Sequence, residues 1–252
     1  MQIPTLTQFS FRGMHGTEGN NRNIYQMTKL HLGCGRKYLE GYINIDFPDS
    51  EHTVLKDIVA DEYANIHGLV YPHNSISEIR LHHVFEHFTR PIALAFLCRW
   101  RNWLRPGGVL RLETPDVMES FKLMSSPFYS FDSKQQVMRH IFGSHEAAWA
   151  VHEDGWYREK FNITLKKLGF EGIKFVTNRW SMLRNIEVTA KKGLNEITYE
   201  EYYSAVRELL QMSTVRDVRV YTINDKTPAG SELQLLDVWM GIWKDAYEGN
   251  VE

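Results

Sequence analysis

The chain has 252 residues, 43% of them hydrophobic and 24% charged, enough for one large α/β domain plus a smaller appendage around a buried core. A formal net charge of −2 gives no electrostatic footprint for DNA, RNA or an anionic membrane as the main partner, and Cys34 and Cys98 alone make no disulfide framework. No run approaches a bilayer span and MQIPTLTQFSFRG lacks a signal-peptide pattern, so a reducing cytoplasm is the expected location.

Residues 1–27 are polar, with Gly13, Gly16, Gly19 and the cluster Asn20-Asn21-Arg22-Asn23, and read as a mobile or substrate-ordered N-terminal extension. Leu30–Leu32 form a first strand that runs into the turn Gly33-Cys34-Gly35, and Ile43–Ile45 form a second strand with Asp46 at its tip. Glycines let the backbone pass close to a ligand where a Cβ would collide. A carboxylate at the tip of the next strand can accept both hydroxyls of a ribose. Together they suit a nucleoside, against the plainer reading of Asp46 as a turn former or helix cap. The link Arg36–Tyr42 is too short for a full crossover helix.

Val54–Ala60 is the expected third strand, ending at Asp61, with Asp57 as the competing strand-end acid. Glu78–His83 is the fourth. Its alternation of Ile79 and Leu81 with Arg80 and His82 suits a central parallel strand poorly, since such strands are usually apolar on both faces. Pro91–Leu104 reads as a helix with a broad apolar stripe, ended by Pro106-Gly107-Gly108, and Val109–Glu113 as the fifth strand. Residues 116–154 are aromatic and histidine-rich without clean periodicity. Trp156–Leu168 reads as a helix, and Phe170–Thr177 and Ile186–Ala190 as an antiparallel pair closing the sheet. Beyond Gly193 come a helix (Thr198–Met212), a β-like stretch (Val218–Ile223), a turn at Pro228 and Gly230, and a helix bearing Trp239 and Trp243. With Leu235, Leu236 and Ile242 nearby, that last stripe is core or a homodimer face.

Taken in order, LHLGCG, INID, HHVFEHF and LRPGGVLRLETPD resemble the motifs of class I S-adenosylmethionine-dependent methyltransferases. The nearest group is the small bacterial-type methyltransferases reading "LNLGCG…GWINID…D…H-EHF…LKPGG", and the resemblance covers residues 28–192. It implies a doubly wound, mostly parallel seven-stranded α/β sheet of Rossmann-like type, with S-adenosylmethionine at the carboxyl ends of the strands. Gly33, Cys34 and Gly35 would lie against the methionine and sugar parts of the cofactor, Asp46 at the ribose and Asp61 at the adenine amino group. His31 stands where the family carries an acid two positions before the first glycine, and Lys37 where it carries a third glycine; His31 and His82 complete the expected cofactor contacts. The catalytic domain would span 28–193 with a lid insertion at 116–154, followed by an accessory segment at 194–252.

Methyl transfer from a sulfonium needs donor and acceptor held in line and a proton removed from the acceptor. The series Gly143…His152-Glu153-Asp154-Gly155-Trp156 matches a glycine, histidine and aromatic that recur in the named group. A neutral histidine near an acceptor hydroxyl is a natural base, which makes His152 the first candidate and His83 the second. The expected reaction is O-methylation of a small-molecule or carbohydrate acceptor, as in surface-polysaccharide biosynthesis, with the neighbouring aromatics stacking on a sugar ring or packing a lid. Two alternatives stand beside it. One is a non-catalytic nucleoside-binding module of the same fold. The other is a zinc metallopeptidase, because His83, Glu86 and His87 spell H-x-x-E-H. On a helix those histidines would share a face and bind zinc, with Glu86 as base and Glu153 or Glu159 as a third ligand. The methyltransferase motif order already accounts for this segment, so no metal is expected.

Overall fold

In the strands TKLHL, ISEIRLH and LRPGGVLRLETP, leucine and isoleucine alternate with charged or histidine side chains, so each presents one apolar and one polar face. A computed structural model describes residues 28–54, 56–215 and 232–250. The expectations for the N-terminal extension, for Val218–Ile223 and for the Pro228/Gly230 turn lie outside the described residues. The strands are β1 (Thr28–Leu32), β2 (Ile43–Asp46), β3 (Glu62–Tyr63), β4 (Ile76–His82), β5 (Leu104–Pro115), β6 (Phe170–Trp180) and β7 (Leu183–Lys192). They form one sheet in the order β3-β2-β1-β4-β5-β7-β6. β1 to β5 run parallel, while β7 is antiparallel to both β5 and β6. This is the expected mostly parallel seven-stranded sheet of Rossmann-like strand order. Its order reverses between β1 and β4, which sets a crevice at the carboxyl ends of those two strands.

The described α-helices are α1 (Arg90–Trp103), α2 (Val117–Ser125), α3 (Phe131–Phe142), α4 (Arg158–Lys167), α5 (Tyr199–Gln211) and α6 (Glu232–Glu248). None is long and apolar enough to cross a membrane. Leu30, Leu32, Ile79, Leu81, Leu110 and Leu112 join Phe96, Trp100, Phe161, Tyr202 and Trp243 in one buried cluster of strands and helices. Trp243 is fully buried and stacks on Tyr247 at 5.2 Å, so it belongs to the core. Leu236 is also buried, whereas Leu235 and Ile242 face outward.

The other face of the sheet is polar. His31 lies opposite Arg80, Arg80 opposite Arg111, and His82 opposite Glu113. Arg111 pairs with Glu187 at 2.8 Å and with Glu78 at 3.5 Å. The connections from β1 to β2, β2 to β3 and β3 to β4 hold no α-helix, which is why β4 alternates instead of being apolar on both sides.

One strand is misplaced by the sequence reading. The stretch 56–60 is not a strand, and Asp61 comes before β3 instead of ending it. The backbone of 58–59 is tied to loops, and only at Asp61 does an N–H reach β2, donating to the Asn44 carbonyl at 2.8 Å. Ile58 N–H donates to the Asp49 carboxylate at 3.0 Å, Val59 N–H to the Gly35 carbonyl at 3.0 Å, and Asp57 sits at φ +62°. The aromatic stretch 116–154 is also more regular than expected, since α2 and α3 pack there on a small cluster of Leu123, Val137 and Leu183.

Candidate active site

At the end of β1 the chain turns through Gly33 (φ +67°) and Gly35 (φ +55°), backbone conformations that favour glycine. A Cβ on Gly33 would stand 2.2 Å from Val84 Cγ2, so the glycine turn abuts the loop that follows β4. Between the glycines, Cys34 is buried, and burial followed by the Asp46 charge pushes its thiol up to about 12. It remains a protonated, unreactive side chain at neutral pH.

Asp46 reaches back to this turn from the tip of β2. Its Oδ2 accepts from Gly35 N–H at 2.6 Å, while Oδ1 accepts from Phe47 N–H at 2.7 Å and meets His52 Nε2 at 3.2 Å. The carboxylate is therefore well placed at the crevice and already partnered. His52 in turn touches Trp149 edge-on at 5.3 Å, and Trp149 Nε1 donates to the Glu51 carbonyl at 3.0 Å. No signal in the sequence marked His52, whose neighbours lack periodicity.

Three expected cofactor contacts, Asp61, His31 and His82, are engaged by partners within the chain. Asp61 accepts from Asn44 N–H and Nδ2 at 2.8 and 2.9 Å and from the Tyr38 hydroxyl at 3.0 Å. The Asn44 backbone and side-chain donors hold its carboxyl below the usual range. His31 is buried, donates from Nδ1 to Asn44 Oδ1 at 3.0 Å, and is kept neutral chiefly by burial. His82 ends β4 on the polar face, where its Nε2 accepts from Arg80 at 2.6 Å and Nδ1 lies 3.5 Å from Glu113. Burial outweighs the Glu113 charge and pushes it down to about 4.

Beyond β4, residues 85–87 make a single 3-10 turn, with His83 before it at φ +53°. The helical face that an H-x-x-E-H zinc site requires is absent. His83 Nδ1 donates to Glu86 Oε1 at 3.2 Å, and its Nε2 accepts from Asn185 Nδ2 at 2.9 Å. Burial would lower this imidazole, but the Glu86 hydrogen bond and the charges of Glu86 and Glu113 raise it. Asn185 also donates to Glu113 at 3.0 Å and accepts from His140 Nε2 at 2.9 Å, so one amide orders three functional groups.

His83 lines a cavity of about 430 Å³ together with His87, Arg139, His140, Trp149, His152 and Trp180. The expected bases His83 and His152 therefore share one space. His152 donates from Nδ1 to the Ile141 carbonyl at 3.2 Å, and its Nε2 lies 3.9 Å from Glu86. Burial is the largest influence on His152 and lowers its pKa. Glu86, which sequence reasoning met only as a peptidase base, is the buried anion behind this wall; only 2% of it is exposed.

No family model and no curated protein matches the chain. Similar solved structures include an S-adenosylmethionine-dependent methyltransferase from Methanosarcina mazei, at 13% identity and TM-score 0.44, covering 67% of this chain and 93% of that one. Another, from Archaeoglobus fulgidus, has 12% identity and TM-score 0.45, with 69% of this chain and 90% of that one covered. A third is the Burkholderia thailandensis 1,6-didemethyltoxoflavin-N1-methyltransferase, with bound 1,6-didemethyltoxoflavin and S-adenosylhomocysteine. It has 12% identity and TM-score 0.45, covering 66% of this chain and 71% of that one. The fold assignment rests on strand order and register, not on these likenesses.

Proposed function

We propose that this chain transfers a methyl group from S-adenosylmethionine to a hydroxyl of a small-molecule or carbohydrate acceptor held in the histidine-lined cavity. The observation that carries the reading is the contact between two halves of the crevice. The Gly33–Gly35 turn, bonded to Asp46, abuts Val84, which belongs to the same loop as the cavity residues His83 and His87. A cofactor seated on the turn would then have its sulfonium directed towards the cavity, at the switch point where open α/β sheets bind ligands. The order of the four motifs supports the same cofactor.

His152 is the favoured base, because no hydrogen bond from the described residues occupies its Nε2, whereas Nε2 of His83 is taken by Asn185. The indoles of Trp149 and Trp180 on the cavity wall support a sugar-type acceptor of the kind found in surface polysaccharides. In the transfer, the acceptor oxygen forms the new C–O bond as the S–CH₃ bond breaks, and its proton passes to the histidine. Calorimetry with S-adenosylhomocysteine, followed by turnover on a panel of sugars and small alcohols, tests the proposal. Binding together with transfer to any acceptor supports it. Binding with no turnover on any acceptor points to a nucleoside-binding module, and failure to bind overturns both readings.

A further inference from the structure

The wall of the cavity brings one buried carboxylate and two imidazoles together. One carboxylate oxygen of Glu86 and one ring nitrogen from each of His87 and His152 all lie within 4.8 Å of one another. The tautomers follow from the hydrogen bonds. His87 Nδ1 is 3.0 Å from the Val151 carbonyl and His152 Nδ1 is 3.2 Å from the Ile141 carbonyl. A carbonyl only accepts, so each Nδ1 carries a proton, and Nε2 is the nitrogen of each ring left to offer a lone pair to a ligand. Glu86 is 2% exposed; its Oε1 accepts from His83, and its buried Oε2 has no hydrogen-bond partner. Oε1, the oxygen 3.9 Å from His152 Nε2, has only His83 as a donor and Oε2 has none, and a buried carboxylate so incompletely satisfied close to imidazole lone pairs is unfavourable unless a cation joins them.

We propose that Glu86, His87 and His152 bind one divalent transition-metal ion of the zinc class in the wall of this cavity. Two imidazoles and a carboxylate, with a fourth position open to a water or substrate, are the donor set of many zinc sites that do chemistry. The outer contacts agree, since metal-bound histidines usually donate their second N–H to a carbonyl or carboxylate, and ligating carboxylates are themselves hydrogen-bonded. Here Val151 and Ile141 hold the rings, while His83 holds Glu86. Ligand atoms around tetrahedral zinc lie about 3.3 Å apart. The 3.9 Å between His152 Nε2 and Glu86 Oε1 needs only a small contraction to reach that spacing. The set differs from an H-x-x-E-H peptidase site, because His83 is not a ligand and Glu86 is a ligand instead of a base. Arg139 is the cation on the cavity lining, and it is exposed to solvent.

The site's use rests on the methyl-transfer reading. An ion there would hold the acceptor oxygen in its open position and acidify it, the proton leaving to water, and His152 would then serve as a ligand in place of a base. Metal binding itself needs neither cofactor nor acceptor, and the test exploits that. The full chain, stripped with chelator, is titrated with Zn²⁺ by calorimetry and with Co²⁺ by visible absorption. One ion per chain and a tetrahedral Co²⁺ spectrum are expected, and His87→Ala and His152→Ala should each weaken binding by about tenfold or more. His73→Ala, at an exposed pair with Glu196, should leave binding unchanged. X-ray absorption on the zinc-loaded parent, which needs no variant, should show two imidazoles plus oxygen ligands. Absence of saturable uptake by the parent, or an all-oxygen shell, overturns the site. Loss of the site with retained transfer leaves the methyltransferase reading standing; metal uptake without S-adenosylhomocysteine binding overturns that reading alone.

Discussion

Asp46 spends most of its hydrogen-bonding capacity inside the chain, and the order of its contacts predicts how a ribose would enter. Two of its donors are backbone N–H groups that cannot leave without unfolding the turn; the third, His52 Nε2 at 3.2 Å, is a side chain. A diol would therefore displace His52. His52→Ala is expected to tighten S-adenosylhomocysteine binding by roughly fivefold, the value of about one neutral hydrogen bond. Asp46→Ala should weaken it by about ten- to hundredfold, or roughly 1.5–3 kcal/mol for a charged acceptor. Calorimetry on the three proteins decides, and equal affinities would move the ribose away from β2. His152→Gln serves the reaction step. Whether the ring is base or metal ligand, S-adenosylhomocysteine should bind within a few-fold of the parent, while turnover falls by about a hundredfold or more. A variant that keeps its rate removes His152 from the reaction under either role. The sequence led to Gly33, Gly35, Asp46, His83 and His152 because each sits at a strand tip or in an ordered motif. It missed His52 and Asn185, since nothing local marks a residue whose importance comes from a partner tens of residues away.

Among the elements, β4 and the 54–63 stretch show why strand reading succeeded in one place and failed in another. The alternation in ISEIRLH is awkward for a parallel strand only if helices cover both faces; with one face left polar it is the pattern such a strand requires. VLKDIVA has the composition of a strand, but the loop carboxylate of Asp49 and the carbonyl of Gly35 capture its backbone donors first. The α2 and α3 helices were hidden for a different reason. Their starts, Asp116 capping Glu119 N–H and Ser130 capping Ser133 N–H, are ordinary caps, but the short apolar stripes behind them are broken by polar residues. Asp61 carries the testable consequence. Bonded by Asn44 and Tyr38, its carboxyl lies below the ordinary range, so the ionised form stabilises the fold. That contribution is complete above the unfolded pKa and is lost as pH falls through the folded one. Asp61→Asn should lower stability at neutral pH and flatten the fall of the denaturant midpoint in acid. An unchanged acid slope would mean that Asp61 does not couple β2 to its neighbouring loop.

For the molecule as a whole, the final helix decides whether the C-terminal segment is an appendage or part of the core. α6 lays Leu236, Met240, Trp243 and Ala246 against the rest of the buried cluster, and the Arg99 guanidinium from α1 donates to the Ala246 carbonyl at 3.2 Å. Arg99 also donates to the His67 and Leu69 carbonyls, so this buried cation is satisfied by three carbonyls from two separate stretches of chain. Removing α6 would uncover the apolar side of α1 and strip one of those acceptors. Trp243→Ala is expected to cost about 3–5 kcal/mol, the usual range for truncating a buried tryptophan. That is a large fraction of the roughly 5–15 kcal/mol by which a domain is stable. Deletion from Glu232 onward should abolish a cooperative thermal transition altogether. Scanning calorimetry of the parent, Trp243→Ala and the truncated chain gives the comparison, with S-adenosylhomocysteine added to each. A truncated chain that still melts cooperatively and gains stability from the nucleoside would make the crevice between β1 and β4 a self-sufficient unit, with α6 a separable addition. Loss of the transition would instead assign α6 to the core on which the crevice at the carboxyl ends of β1 and β4 depends.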